Sequence, residues 1–205
     1  MLAIVDYGVG NLFSLSHSFQ AIGAEIIVTG DKETLERADK IVLPGVGAFG
    51  DAAALLRKDG LDQVVCQQAA AGKPVLGICL GMQLLLERSF EYGEHAGLGL
   101  IPGDVQPIQP LLPEGYKVPH IGWNALDFPK DKPVNPLFRY IKEGDYVYFV
   151  HSFHGERCAE STIATTQYSA QLTAAVAKDN VFGMQFHPEK SGSVGLNILR
   201  AFCEL

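Results

Sequence analysis

The first part of the chain contains four short runs in which apolar residues occupy consecutive rather than alternate positions. These runs are residues 2–6, 25–28, 40–43 and 74–78. An apolar run without alternation is typical of a strand that is buried on both faces of a parallel sheet. Between the runs, apolar residues recur every three or four positions, as in Leu12, Leu15, Phe19 and Ile22, and this spacing predicts helices.

The pattern changes near Gly93, where helical spacing fades and aromatic and β-branched residues dominate. The strand candidates in this half lie within residues 116–128, 145–153, 162–168, 172–178 and 181–186. Asp179-Asn180 predicts a hairpin turn between the last two, and a closing helix is expected at about 194–203. We therefore predict an α/β fold, a doubly wound and largely parallel sheet with antiparallel strands added in the C-terminal half. No linker or repeat interrupts the pattern, so residues 1–205 are expected to form one domain.

Composition narrows the class of protein. The chain has 205 residues, 47% hydrophobic and 19% charged, a balance that excludes a disordered chain. Asp and Glu number 23 against 16 Lys and Arg, so the net charge is −7. Sequence-independent binding of nucleic acid or of an anionic membrane needs clustered positive charge, and we expect neither.

The cysteines and the N-terminal sequence indicate a cytoplasmic protein. Cys66, Cys79, Cys158 and Cys203 are widely spaced and form no C-x-x-C pair. The opening sequence MLAIVDYG lacks the basic region and cleavage site of a secretory leader. No apolar run approaches the ~20 residues of a membrane span. Reduced thiols are expected in the cytoplasm.

Cys79 lies where the fourth apolar run ends and a helical pattern begins. Gly77 and Gly81 flank it in a G-x-C-x-G spacing. A nucleophile on such a strand-to-helix turn has a strained backbone, and the glycines give the turn room. The helix N-terminus that follows would stabilise a thiolate and offer N–H groups to an oxyanion. The alternative is a structural cysteine in a glycine-rich turn.

A cysteine nucleophile needs a base, and His187 is the best placed of the histidines. It follows the last strand candidate and stands two residues before Glu189. In an extended segment residues i and i+2 point to the same side, so Glu189 can orient the imidazole. The three residues then satisfy the logic of a catalytic triad. Taken alone, His187 is better explained as a solvated histidine at a strand end, and only its combination with G-x-C-x-G favours a catalytic base.

The strings GICLGMQ (residues 77–83) and HPE (residues 187–189) resemble the class I, triad-type glutamine amidotransferases. The resemblance spans essentially the whole chain and implies their flavodoxin-like fold. It also implies hydrolysis of the side-chain amide of L-glutamine, without a cofactor. Cys79 would attack the amide carbonyl to form a thioester. His187 would protonate the leaving ammonia and then activate water.

The glycine-rich segment PGVGAFG after the third run has three interpretations. Gly45, Gly47 and Gly50 spell the dinucleotide-binding pattern G-x-G-x-x-G. The match is weak, because the segment does not follow the first strand and no acidic residue ends a strand about 20 positions on. A flexible surface turn is the second interpretation. The resemblance implies the third and favoured one, an oxyanion loop in which Gly45, Val46 and Gly47 lie against the nucleophile beside the backbone of Leu80.

The resemblance also implies residues that bind glutamine. Gln83 stands one helical turn after Cys79, on the same face of the predicted helix. Gly47 and the segment His151, Ser152 and Phe153 complete the set. The plain alternative for Gln83 is an ordinary polar helix residue.

A metal site is the competing interpretation of the histidines after position 150. His151, His154 and Cys158 carry ligand atoms, but the H-x-x-H spacing is short of four ligands and lacks a second ligand pair. We therefore expect no metal.

Two further strings narrow the resemblance within the family. DYGVGNL (residues 6–12) and KVPHIGWN (residues 117–124) resemble the glutaminase subunits of imidazole glycerol phosphate synthases, which serve histidine biosynthesis. This implies a heterodimer with a cyclase subunit, a (β/α)8 barrel that receives ammonia. Asn11, Trp123 and Lys190 would lie at the interface. The isolated subunit is expected to be nearly inactive until partner and nucleotide substrate reorient the glycine loop.

Three other functions remain open at the level of sequence. The chain could serve a different synthase, such as those for pyridoxal phosphate, GMP or anthranilate, against which the string around Trp123 argues. It could be a peptidase or deglycase, against which Gln83 and the His-Pro-Glu string argue. It could be a non-catalytic interaction module, although no triad residue is missing.

Overall fold

A seven-stranded sheet forms the centre of the computed structural model, which describes residues 1–205. The strands are β1 (Leu2–Val5), β2 (Ile26–Thr29), β3 (Lys40–Leu43), β4 (Val75–Ile78), β5 (Arg88–Ser89), β6 (His95–Ala96), β7 (Asp104–Pro107), β8 (His120–Ala125), β9 (Tyr146–His151), β10 (Phe153–Glu156), β11 (Thr162–Tyr168), β12 (Ala170–Lys178) and β13 (Val181–Met184). The helices are α1 (Leu12–Ala21), α2 (Lys32–Arg37), α3 (Phe49–Lys58), α4 (Leu61–Ala70), α5 (Leu80–Leu85) and α6 (Gly192–Cys203). None of the helices combines the length and apolarity needed to cross a lipid bilayer.

The central sheet has the order β11-β12-β13-β4-β3-β1-β2. Strands β2, β1, β3, β4 and β13 are parallel, while β12 is antiparallel to both β13 and β11. The predicted α/β class, with a mostly parallel sheet and antiparallel strands added from the C-terminal half, is confirmed. The order places β3 and β13 on either side of β4, so the segments that follow these three strands meet at one edge of the sheet.

The consecutive apolar residues of the parallel strands serve two hydrophobic cores. In β1, Ala3 and Val5 belong to one buried cluster, whereas Leu2 and Ile4 belong to another. Successive side chains of a strand point to opposite faces, so the two clusters cover the two faces of the sheet. This two-sided burial explains why the strands show no polar alternation.

The second half of the chain is more divided than the sequence indicated. β8 and β9 do not join the central sheet but pair with each other in an antiparallel ribbon. Four short strands, β5, β6, β7 and β10, form a further sheet that the sequence pattern did not predict. β5 and β6 have only two residues each, and β7 (DVQP) and β10 (FHGE) contain no apolar run of the kind that marks β1 to β4.

The predicted turn at Asp179-Asn180 is confirmed. β12 and β13 are antiparallel, and their pairing ends with Lys178 opposite Val181, so two residues make the connection. Asp179 has φ 52°, as a tight two-residue hairpin requires.

Candidate active site

A cleft of about 310 Å³ opens at the edge of the sheet where β3, β4 and β13 end. Crevices at the carboxyl ends of parallel strands are the usual ligand sites of open α/β sheets. The cleft is lined by residues from each of these strand ends and by the β9–β10 segment. Glu91, between β5 and β6, and Pro119, before β8, complete the lining. The full set is Val46, Gly47, Cys79, Leu80, Gln83, Glu91, Pro119, Val150, His151, Ser152, Phe153 and His187.

Cys79 connects β4 directly to α5 and has a positive φ of 54°. This conformation is uncommon outside glycine and costs about 1–3 kcal/mol. The flanking glycines make the turn possible. A Cβ on Gly81 would stand 1.8 Å from the carbonyl oxygen of Leu43, and one on Gly77 would stand 2.6 Å from the carbonyl oxygen of Gly81. The packing therefore agrees with the prediction that the two glycines of G-x-C-x-G give room to a strained turn at Cys79.

The three residues of the predicted triad come together at the cleft. Cys79 and His187 both line it, and both are buried. The Nδ1–H of His187 donates to Oε1 of Glu189 at 2.8 Å, as the spacing of the two residues predicted. The helix α6 holds this segment close, because a Cβ on Gly195 would stand 2.0 Å from the carbonyl oxygen of Pro188.

The surroundings of His187 favour its protonated form. Burial alone would lower the pKa of the imidazole, but the adjacent Cys79 and Glu189 outweigh this and raise the pKa from 6.5 to about 10. A cationic imidazole beside the sulfur attracts a thiolate, which is the nucleophilic form of cysteine.

The glycine loop is fixed at both ends and free between them. At its start, the hydroxyl of Tyr7 donates to the carbonyl oxygen of Pro44 at 2.6 Å. At its end, the N–H of Phe49 donates to Oε2 of Glu91 at 2.6 Å. The backbone N–H groups of residues 45–47 donate to no group of the chain. They are therefore available to an oxyanion, as the third interpretation of the loop requires.

The loop glycines differ in function. Gly45 is a packing residue, because its Cβ would stand 2.9 Å from both the N atom of Gly81 and the Cβ of Leu80. Gly47 has φ 95° and open space around it, so it supplies conformational freedom. Leu80 is the first residue of α5, where backbone N–H groups lack partners within the helix.

The residues predicted to bind glutamine lie at the cleft, and Gly47 of the loop is one of them. Gln83, His151, Ser152 and Phe153 all line the cleft. The carbonyl oxygen of Phe153 accepts from Nε2 of Gln83 at 3.2 Å and from Nδ1 of His151 at 2.8 Å. These bonds join the first turn of α5 and the end of β9 to the start of β10.

The pKa of His151 is strongly shifted. Burial is the main cause and lowers it from 6.5 to about 3, and the nearby His120 adds to this effect. His151 is therefore neutral at physiological pH. Its Nδ1–H donates to the carbonyl oxygen of Phe153 at 2.8 Å, and its Nε2 lies 3.0 Å from Nδ1 of His120.

Of the predicted interface residues, Asn11 lies beside the triad, whereas Trp123 and Lys190 both lie against Tyr148. Asn11 caps α1 and lines a small cavity that also contacts His187 and Glu189. The ring centroid of Tyr148 lies 6.0 Å from the ring centroid of Trp123 and 5.6 Å from Nζ of Lys190.

The interpretation of the histidines as a metal site finds no geometric support. His151 faces the cleft, whereas His154 and Cys158 line a different cavity. Nowhere do three or more His, Cys, Asp or Glu side chains form a group that could hold a metal ion.

Sequence reasoning missed two polar residues of the site. Nε2 of Gln185 donates to Sγ of Cys79 at 3.7 Å. Its position two residues before His187, on the same side of an extended segment, was a usable signal. Glu91 reaches the cleft from the segment between β5 and β6, and it is the only residue with a carboxylate side chain among those that line the cleft. No local sequence pattern predicts a role for Glu91, because only the tertiary fold brings it to the cleft.

Comparison with known proteins agrees with this geometry. The sequence model of the family described as glutamine amidotransferase class-I matches residues 3–204, so the chain belongs to that class. Curated relatives include the protein of Wolinella succinogenes, 45% identical with full coverage of both chains. The protein of Sulfurimonas denitrificans is 49% identical over 98% of this chain and 97% of its own. Each is named imidazole glycerol phosphate synthase subunit HisH.

Solved structures agree on the fold. The chain superimposes on a PurLQS structure from Thermotoga maritima with a TM-score of 0.77, over 99% of this chain and 97% of the other. At 20% identity this likeness concerns the fold alone.

The contact of Gly81 with Leu43 predicts a position-specific effect. Gly81→Ala should lower the free energy of unfolding by about 3 kcal/mol, because the backbone must move to admit the Cβ. Gly72→Ala is the control, since its Cβ meets no atom within 4 Å and only the positive φ is costly. It should lose roughly 1–2 kcal/mol. Urea unfolding measures both, and equal losses would contradict the packing argument.

Burial of His151 predicts acid sensitivity. Because its folded pKa of about 3 lies below the ordinary 6.5, the unfolded chain binds the extra proton in this window. Stability should therefore decrease as pH falls from 6.5, by up to about 1.4 kcal/mol per pH unit from this group. His151→Gln should make the curve of unfolding free energy against pH shallower between pH 4 and 6. His17→Gln, on the exposed side of α1, controls for the loss of a histidine, and an unchanged slope in His151→Gln would refute the assignment.

Proposed function

We propose that this chain is the glutaminase subunit of an imidazole glycerol phosphate synthase, and that residues 1–205 form its one glutaminase domain. It hydrolyses L-glutamine to glutamate and ammonia through a thioester on Cys79. The observation that carries the proposal is the buried Cys79–His187–Glu189 arrangement on the cleft, beside a loop with uncommitted N–H groups. The relatives named HisH, at 45–49% identity over nearly the whole chain, support the particular synthase.

The first half of the reaction forms the thioester. The thiolate of Cys79 attacks the side-chain carbonyl carbon of glutamine, and the negative charge moves to the carbonyl oxygen. N–H groups of the glycine loop and of Leu80 stabilise this oxyanion. The imidazolium of His187 then gives its proton to the amide nitrogen, the C–N bond breaks, and ammonia leaves.

The second half depends on the change of charge at the sulfur. In the thioester Cys79 carries no charge, so its contribution to the raised pKa of His187 is lost, while burial still lowers that pKa and Glu189 still raises it. His187 is neutral at this stage because its proton has left with ammonia. The neutral imidazole then accepts a proton from water as the hydroxide attacks the thioester. Collapse of the intermediate releases glutamate and restores the thiolate and the imidazolium.

The cleft residues suit the amino-acid end of the substrate. The carboxylate of Glu91 would bind the α-ammonium group, and Gln83 with the backbone of residues 151–153 would bind the rest of the glutamine. These roles follow from charge and location on the cleft.

The chemistry of the product ammonia supports a partner subunit. Ammonia is a nucleophile only while it stays neutral, so its release into water would waste it. A small cavity shares Val46 and His187 with the cleft and extends to Asn11 and Glu189, which supports an exit on this side. We propose that a cyclase subunit, a (β/α)8 barrel, covers this exit in a heterodimer and receives the ammonia.

The surface around the exit supports such a partner. Ile121, Trp123 and Tyr146 on the outer face of the β8–β9 ribbon are 57%, 51% and 57% exposed. Large exposed side chains clustered on one face are typical of binding surfaces.

The nucleophile is tested by glutamate release. Cys79→Ala should reduce turnover of L-glutamine by roughly ten-thousandfold or more, as loss of a triad nucleophile does. Cys203→Ala, a half-buried thiol at the end of α6, is the matched control and should keep its activity. The assay is run with the chain alone, with a cyclase subunit, and with that subunit and its nucleotide substrate. Release mainly in the last mixture supports partner gating, brisk release by the chain alone contradicts it, and no release in any mixture overturns the proposal.

The interface is tested by binding. Trp123→Ala should weaken the affinity for the cyclase subunit by roughly 30-fold or more, since exposed aromatics at interface centres typically contribute about 2 kcal/mol or more. Tyr140→Ala is the control, because Tyr140 is also half-exposed but contacts Glu204 beyond the far end of α6. Calorimetric titration measures both. Equal affinities for the two variants would remove Trp123 from the interface.

A further inference from the structure

The nucleophile sulfur receives a hydrogen bond from a residue outside the predicted triad. Nε2 of Gln185 donates to Sγ of Cys79 at 3.7 Å, and the Gln185 residue is fully buried, at 0% exposure. The backbone N–H of Gln185 donates to the carbonyl oxygen of Ala174 at 2.8 Å. The backbone of Gln185 is therefore fixed to β12, and its side-chain amide contacts the sulfur of Cys79.

The orientation of the Gln185 amide follows from the hydrogen-bond count. Nε2 of Gln83 donates both to the carbonyl oxygen of Phe153 and to Oε1 of Gln185, the latter at 2.9 Å. Turning the Gln185 amide over would bring two NH2 groups together and would direct its carbonyl oxygen at the sulfur. Both contacts are unfavourable and buried, so the N–H must point at Cys79.

We propose that Gln185 stabilises the thiolate of Cys79 through this hydrogen bond and links it to the glutamine-binding residue Gln83. The inference rests on the proposed function, for which Cys79 is the nucleophile. Hydrogen bonds from an uncharged donor to a charged acceptor are stronger than those between neutral groups. A donor aimed at the sulfur favours the thiolate over the thiol.

Gln185 differs from His187 in what happens to its proton. Both side chains lie against Cys79, while Phe186 between them is buried in the core. The proton of His187 leaves with ammonia, whereas an amide does not ionise. Gln185 can therefore offer its N–H to the sulfur when hydrolysis of the thioester expels the thiolate again, as a preorganised dipole.

The proposal is tested by the pH dependence of alkylation of Cys79. The full-length chain is treated with iodoacetamide over a range of pH, and modification of the peptide that contains Cys79 is followed by mass spectrometry. Gln185→Met keeps the shape but removes the donor. It should move the midpoint of the rate profile upward by about one pH unit, and slow the reaction roughly tenfold below that midpoint.

Gln185→Glu should move the midpoint further than Gln185→Met, because a carboxylate would repel the thiolate. Thr166→Val is the control for stability. It removes a buried hydrogen bond to Ala125 on another strand, and its profile should match the unaltered chain. A merely structural role for Gln185 would slow alkylation at every pH without moving the midpoint. That result would overturn the proposal. The proposal would also be overturned if Gln185→Met and the unaltered chain gave the same profile.

A second variant covers the case in which Gln185→Met does not fold. Gln83→Leu removes the donor that orients the Gln185 amide and should move the midpoint in the same direction by a smaller amount. No movement in Gln83→Leu would also overturn the proposal. Because alkylation does not require turnover, these outcomes are independent of the glutaminase assays.

Discussion

The site depends on one close backbone contact, the approach of α5 to the end of β3. Gly81 leaves no space for a side chain against the carbonyl oxygen of Leu43. With the helix in that position, the chain leaves β4 through a turn with a positive φ at Cys79. The same approach places the loop after β3 beside the sulfur. The order β3-β4-β13 then places His187 on the opposite side.

The first half of the fold was predictable because burial on both faces leaves a clear pattern. β3 spans the predicted residues 40–43, and β1, β2 and β4 differ from the prediction by only one or two residues at their ends. The later part was less predictable. β5 and β6 have two residues each, and the separation of β8 and β9 from the central sheet depends on tertiary contacts that no local pattern encodes.

The candidate site divides in the same way. Cys79, His187 and Glu189 could be found because strand-turn-helix mechanics and the i, i+2 rule are local. Gln185 obeys that same rule and was recoverable. Glu91 was not, since the link between its carboxylate and the N–H of Phe49 spans 42 residues and arises only in the folded chain.

The β8–β9 ribbon has two faces that belong to different surfaces. In β9, Val147, Phe149 and His151 point inward, while Tyr146 and Tyr148 point outward. Because the side-chain period of a strand is two, one inserted or deleted residue would exchange the two sets. The length of this ribbon is therefore fixed more strictly than its composition: individual side chains can vary during divergence, whereas a single-residue insertion would bury tyrosines in the core and expose His151.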